Sequence, residues 1–331
     1  MTTFDVLEKP RPEAPRRVLV LMLPAVHALD FAGPVQAVYE ANGFGARYEL
    51  HYVGVASEVR SAQGFVFSAI EPLPAVSPDD WILVPGIEST QLEQVDVPGD
   101  WLRLAAARSR RLSSICSGAF VLARAGVLEG RLCTTHWKIL DKLVEWSPTA
   151  RVLDNRLFVR DGNVVTSAGE ASGIDMTLAL IQEDHGPALV AKVAREMVVY
   201  MRRSGESAQA SIYLQHRDHT HPGVHRVQDW IVEHPERKAT LESLAAVAAV
   251  SPRHLTRLFR EATGVTLTRF AHKVKLEVAQ SLLENQGLTL EAIAGRCGYE
   301  DARQLRRLWK QQHGSTLSSA RQSPRKQMQA S

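Results

Sequence analysis

A hexapeptide occurs twice in this chain: Thr240-Leu-Glu-Ser-Leu-Ala245 returns as Thr289-Leu-Glu-Ala-Ile-Ala294, and each copy leads through a short turn into an arginine-rich amphipathic stretch. A repeat of this kind means one supersecondary unit built twice, here about fifty residues apart. In the first unit Thr240 suits a helix cap, Ser251-Pro252 suits the start of the next helix and Gly264 its end, while Leu255, Leu258 and Phe259 supply a buried face. The other face carries Arg253, Thr256, Arg257 and Arg260. In the second unit Leu305, Leu308 and Trp309 form the apolar stripe, which leaves Arg303, Gln304, Arg306, Arg307 and Lys310 outward. Arginine bonds bidentately to guanine edges and glutamine to adenine, and both hold phosphates. A helix-turn-helix places its second helix in the major groove while the first crosses the backbone, so the expected partner is double-stranded DNA. The bland reading is two solvated amphipathic faces; a matched duplication argues against it.

Charge is divided unevenly. The net charge is +3, yet residues 1–223 hold 22 Lys+Arg against 26 Asp+Glu, and residues 224–331 hold 17 against 10. A basic domain joined to a mildly acidic one suggests that only one of them meets a polyanion. At 331 residues, 45% hydrophobic and 23% charged, two domains are expected. No apolar run is long enough to span a bilayer, and residues 1–16 read as a polar disordered segment rather than a signal peptide, so no membrane partner and a cytoplasmic location are expected. Cys116, Cys133 and Cys297 are far apart and odd in number, which gives neither a disulfide framework nor a metal-ligand cluster.

Between residues 17 and 201, short β-rich runs alternate with helical stretches. The strand candidates are Val18–Leu23, Tyr48–Val53, Trp81–Val84, Leu112–Ile115 and Val164–Thr166, with helices expected after Asp30, Cys116, Thr135 and Gly173. This alternation predicts a mostly parallel sheet covered on both faces, with ligands at the carboxyl ends of its strands. Residues 202–223 read as a linker. Its histidines, with His216, His219, His221 and His225 in sequence, read as solvated chain and not as a metal site. Residues 224–322 form the helical, repeated domain and 323–331 a disordered tail.

Residues 224 to about 321 resemble the AraC/XylS family of DNA-binding domains, most clearly in Ser251-Pro-Arg-His-Leu-Thr-Arg-Leu-Phe-Arg-Glu-Ala-Thr-Gly264 and Ile293-Ala-Gly-Arg-Cys-Gly-Tyr-Glu-Asp301. The resemblance implies seven helices, with a long one over 268–283 holding two recognition helices one DNA turn, roughly 34 Å, apart. It also implies base readers at Arg253, Thr256, Arg257, Arg303, Gln304 and Arg307. Leu267 and Leu317 stand where many members have proline.

Arg111-Leu-Ser-Ser-Ile-Cys116-Ser-Gly-Ala-Phe120 passes from strand to helix across small residues, which outlines a nucleophile elbow with Cys116 on the turn. A thiol at a helix N-terminus has a stabilised thiolate, as a nucleophile or redox sensor needs; a buried cysteine packed as a small hydrophobe is the alternative. Residues 17 to about 200 resemble the PfpI-type, glutamine-amidotransferase-like superfamily, through Leu29-Asp-Phe-Ala-Gly-Pro34, Leu83-Val-Pro-Gly86, the Cys116 elbow, Thr134-Thr-His-Trp137 and Thr166-Ser-Ala-Gly169. That resemblance implies a flavodoxin-like α/β sandwich of the class I amidotransferase-like type, followed here by the all-α double helix-turn-helix domain. It implies a pocket at Asp30, Gly86, Cys116, Ser117 and His136. Peptidase-like members carry a histidine directly after the cysteine, where this chain has Ser117. His136 is either a ligand contact or a structural histidine.

The fusion of the two domains is similar to the GlxA-type transcriptional regulators, and implies a non-enzymatic DNA-binding regulator in which the elbow domain senses and dimerises. A small nitrogenous effector, a homodimer and RNA polymerase are the further partners this implies, and no cofactor is expected. The rivals are an amidase-, peptidase- or hydratase-type enzyme using Cys116 while tethered to DNA, and a Cys116 redox sensor.

Overall fold

The apolar run beginning near Val18 forms β1 (Arg16–Leu21), and its side chains go alternately to two cores: Val18, Val20 and Met22 to one, Leu19, Leu21 and Leu23 to the other. Unbroken hydrophobicity is what a strand buried on both faces requires. The computed structural model describes residues 15–199, 203–205, 207, 209, 216–283, 287–313 and 316–318. The chain divides into two units, Met1–Gln209 and Ala210–Ser331.

In the first unit β2 (Tyr48–Gly54), β6 (Trp81–Val84), β7 (Arg111–Ile115) and β11 (Val164–Ser167) join β1 in a parallel array ordered β11-β7-β6-β1-β2. These are the five strands expected from sequence, and they are the middle of the sheet. The edges were not anticipated. β5 (Glu71–Pro72) extends one side and β10 (Phe158–Asp161), antiparallel to β11, the other. Two small ribbons, β3 (Glu58–Arg60) with β4 (Val66–Ser68) and β8 (Leu132–Cys133) with β9 (Arg151–Val152), are two or three residues per strand, too short for an alternating pattern. One face is covered by α1 (Ala28–Gly43) and α5 (Ala171–Glu196), the other by α2 (Gly99–Arg108), α3 (Gly118–Arg124) and α4 (Leu140–Trp146).

Local details shift the expected boundaries. Helix α1 begins two residues before Asp30, so that carboxylate lies in its first turn. Helix α5 begins at Ala171 rather than after Gly173, and Gly186, at φ +81°, breaks it immediately before Pro187. Arg16, expected within a disordered segment, pairs in β1 and bonds Arg47 O at 2.8 Å; residues 1–14 lie outside the described residues. In the expected linker, residues 202, 206, 208 and 210–215 lie outside the description, as does the 323–331 tail. The described remainder is held down: Arg203 forms a fork onto Asp175 at 2.9 and 2.7 Å, and Gln209 bonds Thr135 O at 2.9 Å. The linker histidines are not solvated chain. His219 and His225 stack at 4.4 Å, Arg217 Nε donates to His225 Nδ1, and His216 packs edge-on to Phe270.

The second unit comprises α6 (Pro222–Glu233), α7 (Leu241–Ala248), α8 (Pro252–Thr263), α9 (Leu267–Leu283), α10 (Leu290–Arg296) and α11 (Ala302–His313), and residues 317–318 are helical as well. Each repeat buries its own core. Val224, Val227, Leu244, Leu255 and Phe259 build the first, and Ile293, Ala294, Leu305 and Trp309 the second. Helix α9 serves both, giving Phe270 and Val274 to one and Leu276, Ala279 and Leu283 to the other. Leu267 and Leu317 each occupy a first helical position, where proline is tolerated because its missing N–H has no intrahelical partner. Leucine keeps those helix starts and adds apolar packing.

Candidate functional site

The exposed faces of α8 and α11 arise from matched local rules. Ser251 Oγ accepts the His254 N–H at 3.3 Å and Pro252 opens α8, while Gly264, at φ +73°, closes it. Asp301 Oδ1 accepts the Gln304 N–H at 2.9 Å in the same capping role for α11. With Leu255 and Phe259, or Leu305 and Trp309, turned inward, the remaining positions have no choice of face. Arg253, Thr256, Arg257, Arg260, Arg303, Gln304, Arg306, Arg307 and Lys310 are all exposed. The two helices correspond at an offset of fifty positions, but the helices that precede them at forty-nine, because Glu300 is an extra residue in the second turn.

Two carboxylates that were not anticipated lie against these faces, Glu261 on α8 itself and Glu291 on α10. Glu261 lies 3.6 Å from Arg257, and Glu291 lies 3.6 Å from Arg306. Exposed pairs of this kind are worth at most about 1 kcal/mol, so either arginine can exchange its partner for a phosphate or a base edge. They orient the guanidinium groups without sequestering them. Thr256 is less free, since its hydroxyl donates to Pro252 O at 3.1 Å. Arg253, Thr256, Arg257, Arg260 and Glu261 line a shallow depression of about 640 Å³ on α8.

The second site is at the carboxyl edge of the sheet. Cys116 follows β7 with φ +53°, a left-handed conformation that is costly for a residue with a Cβ, and is held there by its N–H to Ser167 O (3.0 Å) and by the Thr135 hydroxyl donating to its carbonyl (2.8 Å). Two glycines make room. A Cβ on Gly169 would collide with Cys116, and one on Gly86 would collide with Asp30 Oδ2. Asp30, Gly86 and Cys116 are therefore in mutual contact.

Asp30 is fully buried. Its Oδ1 accepts the Glu170 N–H at 2.6 Å, whereas Oδ2 has no well-aligned hydrogen bond and has the Cys116 thiol beside it. Burial, the largest influence, raises its pKa to about 6, with the Glu170 charge adding to the rise. Burial and then the Asp30 charge push the Cys116 thiol upward as well. Of the two readings of Cys116, its surroundings favour the protonated thiol: α3 has only seven residues, and its favourable end is outweighed by desolvation and a neighbouring carboxylate.

The other two expected pocket residues have local commitments. The Ser117 hydroxyl both donates to Ile87 O (2.5 Å) and accepts from Ile87 N (2.8 Å), pinning the elbow to the loop after β6. His136 accepts the Lys138 N–H at Nδ1 (3.3 Å), and burial followed by Lys138 lowers its pKa. Sequence reasoning missed Glu170. It is exposed, sits at φ +51°, donates its N–H to Asp30, and its charge acts on Asp30, Cys116 and His136 alike. Its one sequence signal is that it directly follows the Thr166–Gly169 run. Cys133 and Cys297 are buried core residues.

Comparison with known proteins agrees with both halves. Residues 16–183 match the DJ-1/PfpI family and residues 244–323 match a helix-turn-helix domain. The chain is 28% identical over 329 residues to the HTH-type transcriptional regulator GbdR of Pseudomonas aeruginosa, covering 97% of this chain and 88% of that protein. It is 31% identical over 233 residues to the HTH-type transcriptional regulator GlxA of Rhizobium meliloti, covering 68% of this chain and 72% of that one. A solved structure from Vibrio parahaemolyticus, 19% identical, superposes with a TM-score of 0.50 over 55% of this chain and 99% of its own, a likeness of fold alone. A parallel sheet with an elbow cysteine, glycines packed against it and a family match spanning half the residues lead to one assignment: the chain belongs to the DJ-1/PfpI family and carries a helix-turn-helix domain behind the family domain.

Proposed function

We propose that the chain is a sequence-specific DNA-binding transcription regulator, with α8 and α11 as its readers and a small molecule at the Asp30–Cys116–Glu170 site as its input. The observation that carries the first part is the matched pair of capped helices with nine exposed polar or basic residues, eight of them in four corresponding pairs. Relatives named as transcriptional regulators over nearly the whole chain support it. In this reading Arg253, Arg257, Arg303, Gln304 and Arg307 meet base edges, and Arg260, Arg306 and Lys310 hold phosphates. The N-terminal unit is a sensor and not an enzyme, which is supported by a thiol held protonated and a histidine engaged by its own turn. The carboxylates of Asp30 and Glu170 suit a cationic, nitrogenous effector. Homodimerisation through the N-terminal unit and contact with RNA polymerase complete the proposal.

Selection of duplexes from a random-sequence pool by the full chain tests it. A single consensus is expected, and Arg253→Ala or Arg307→Ala should weaken binding to it by about 1 to 3 kcal/mol, the size of one bidentate base contact. Failure to enrich any sequence would refute DNA recognition. An unchanged affinity in both variants would refute the assigned readers. Coupling requires that a small amine shown to bind the N-terminal unit alter affinity for the selected duplex.

A further inference from the structure

We infer that Lys275 is a positioning residue that locks the two helix-turn-helix units together at the turn before α11, and so determines which half-site spacing the protein accepts; this rests on the DNA-binding reading above. Lys275 lies on α9 between Val274, which belongs to the first core, and Leu276, which belongs to the second. It is only 9% exposed, at a place where apolar packing is the rule. Its ammonium donates to Arg237 O in the turn before α7 and to Gly298 O in the second unit's own turn, both at 3.3 Å, and lies 5.3 Å from the centre of the Tyr299 ring. One side chain thus bridges both repeats.

The backbone around it is closely fitted. Gly298 has φ +67°, and a Cβ there would collide with Glu236 O and come within 2.6 Å of the Lys275 ammonium. The second turn is therefore seated directly on residues 236–237 of the first unit. A second link runs between the same segments, from Lys238 to Glu300 at 3.3 Å, and Glu300 is the residue by which the second turn exceeds the first. Asp301, which caps α11, comes next. Apolar contacts permit sliding, whereas hydrogen bonds from one buried donor to two carbonyls are directional. The lock therefore acts at the point where the second reader leaves its turn.

The test uses the full chain and its selected duplex, with one base pair inserted or removed between the half-sites. Each such change moves one half-site by about 3.4 Å and rotates it by about 34°. For the unsubstituted chain it should cost about tenfold or more in affinity, the loss of a specific contact. Lys275→Met should bind the original spacing more weakly and lose less than about threefold on the altered ones, while Lys275→Arg, which keeps the donors, should retain the tenfold penalty. A residue that merely stabilised the fold would lower affinity at every spacing alike. A folded Lys275→Met with the full penalty overturns the proposal, as does an unsubstituted chain indifferent to spacing. Should Lys275→Met fail to fold, Lys275→Gln decides: its shorter, neutral side chain cannot span both carbonyls, so a flattened spacing profile supports the lock and an unaltered profile overturns it. If the unsubstituted chain enriches no sequence, the DNA-binding reading itself fails.

Discussion

Asp30 is a carboxylate placed where its charge has little to solvate it. The unfolded chain releases that proton near pH 3.8 and the folded chain near pH 6, so between those values the folded state binds more protons and stability falls as pH rises. The cost is absent below the unfolded value and complete above the folded one. Asp30→Asn keeps an acceptor for the Glu170 N–H and removes the charge. It should match the parent near pH 4 and be more stable at pH 7 by on the order of 2 to 3 kcal/mol, measured by thermal unfolding at both pH values. A difference that did not depend on pH would show that ionisation is not responsible. Cys116 was legible because small residues flank it between strand and helix. Glu170 was not, because its role comes from a backbone N–H and from a conformation that no residue type announces.

The helix-turn-helix elements repay comparison because the same design is solved twice with different residues. Both first helices end in a left-handed residue, Ala249 at φ +58° in one unit and Gly298 at φ +67° in the other. Ala249 is exposed with its Cβ already accommodated, whereas a Cβ on Gly298 would collide with Glu236 O. Ala249→Gly is therefore expected to stabilise by about 0.5 to 1 kcal/mol, since it relieves the Cβ strain of that conformation. Gly298→Ala should destabilise by about 2 kcal/mol or more, since both the conformation and the collision with Glu236 O oppose it. Thermal unfolding of the two variants checks the pair, and equal shifts in the same direction would refute the distinction. The caps, the apolar stripes and the basic faces of these helices could be read along the chain because they depend on neighbours within one or two turns. The contact between the second turn and residues 236–237 could not, because it joins segments some sixty residues apart.

Across the whole molecule the excess of positive charge lies in residues 224–331, and seven of the nine candidate DNA contacts are arginine or lysine. With Arg260, Arg306 and Lys310 displacing counterions from phosphates, affinity for the selected duplex should fall by roughly fortyfold between 50 and 200 mM salt. An affinity unchanged across that range, measured by titration, would mean that the assigned phosphate contacts are not made. No described helix is long and apolar enough to cross a membrane. The five central strands, the order of the two units, the repeat and the outward faces of α8 and α11 can be read along the chain, because hydrophobic periodicity and capping are local and survive without knowledge of the fold. What depends on tertiary structure is the short edge strands, the burial that raises the pKa of both Asp30 and Cys116, the contact of Glu170 with Asp30 and the seat of Lys275. Burial and electrostatics depend on what surrounds a group in space, and residues 30, 116 and 170, like 237, 275 and 298, become neighbours only once the chain has folded.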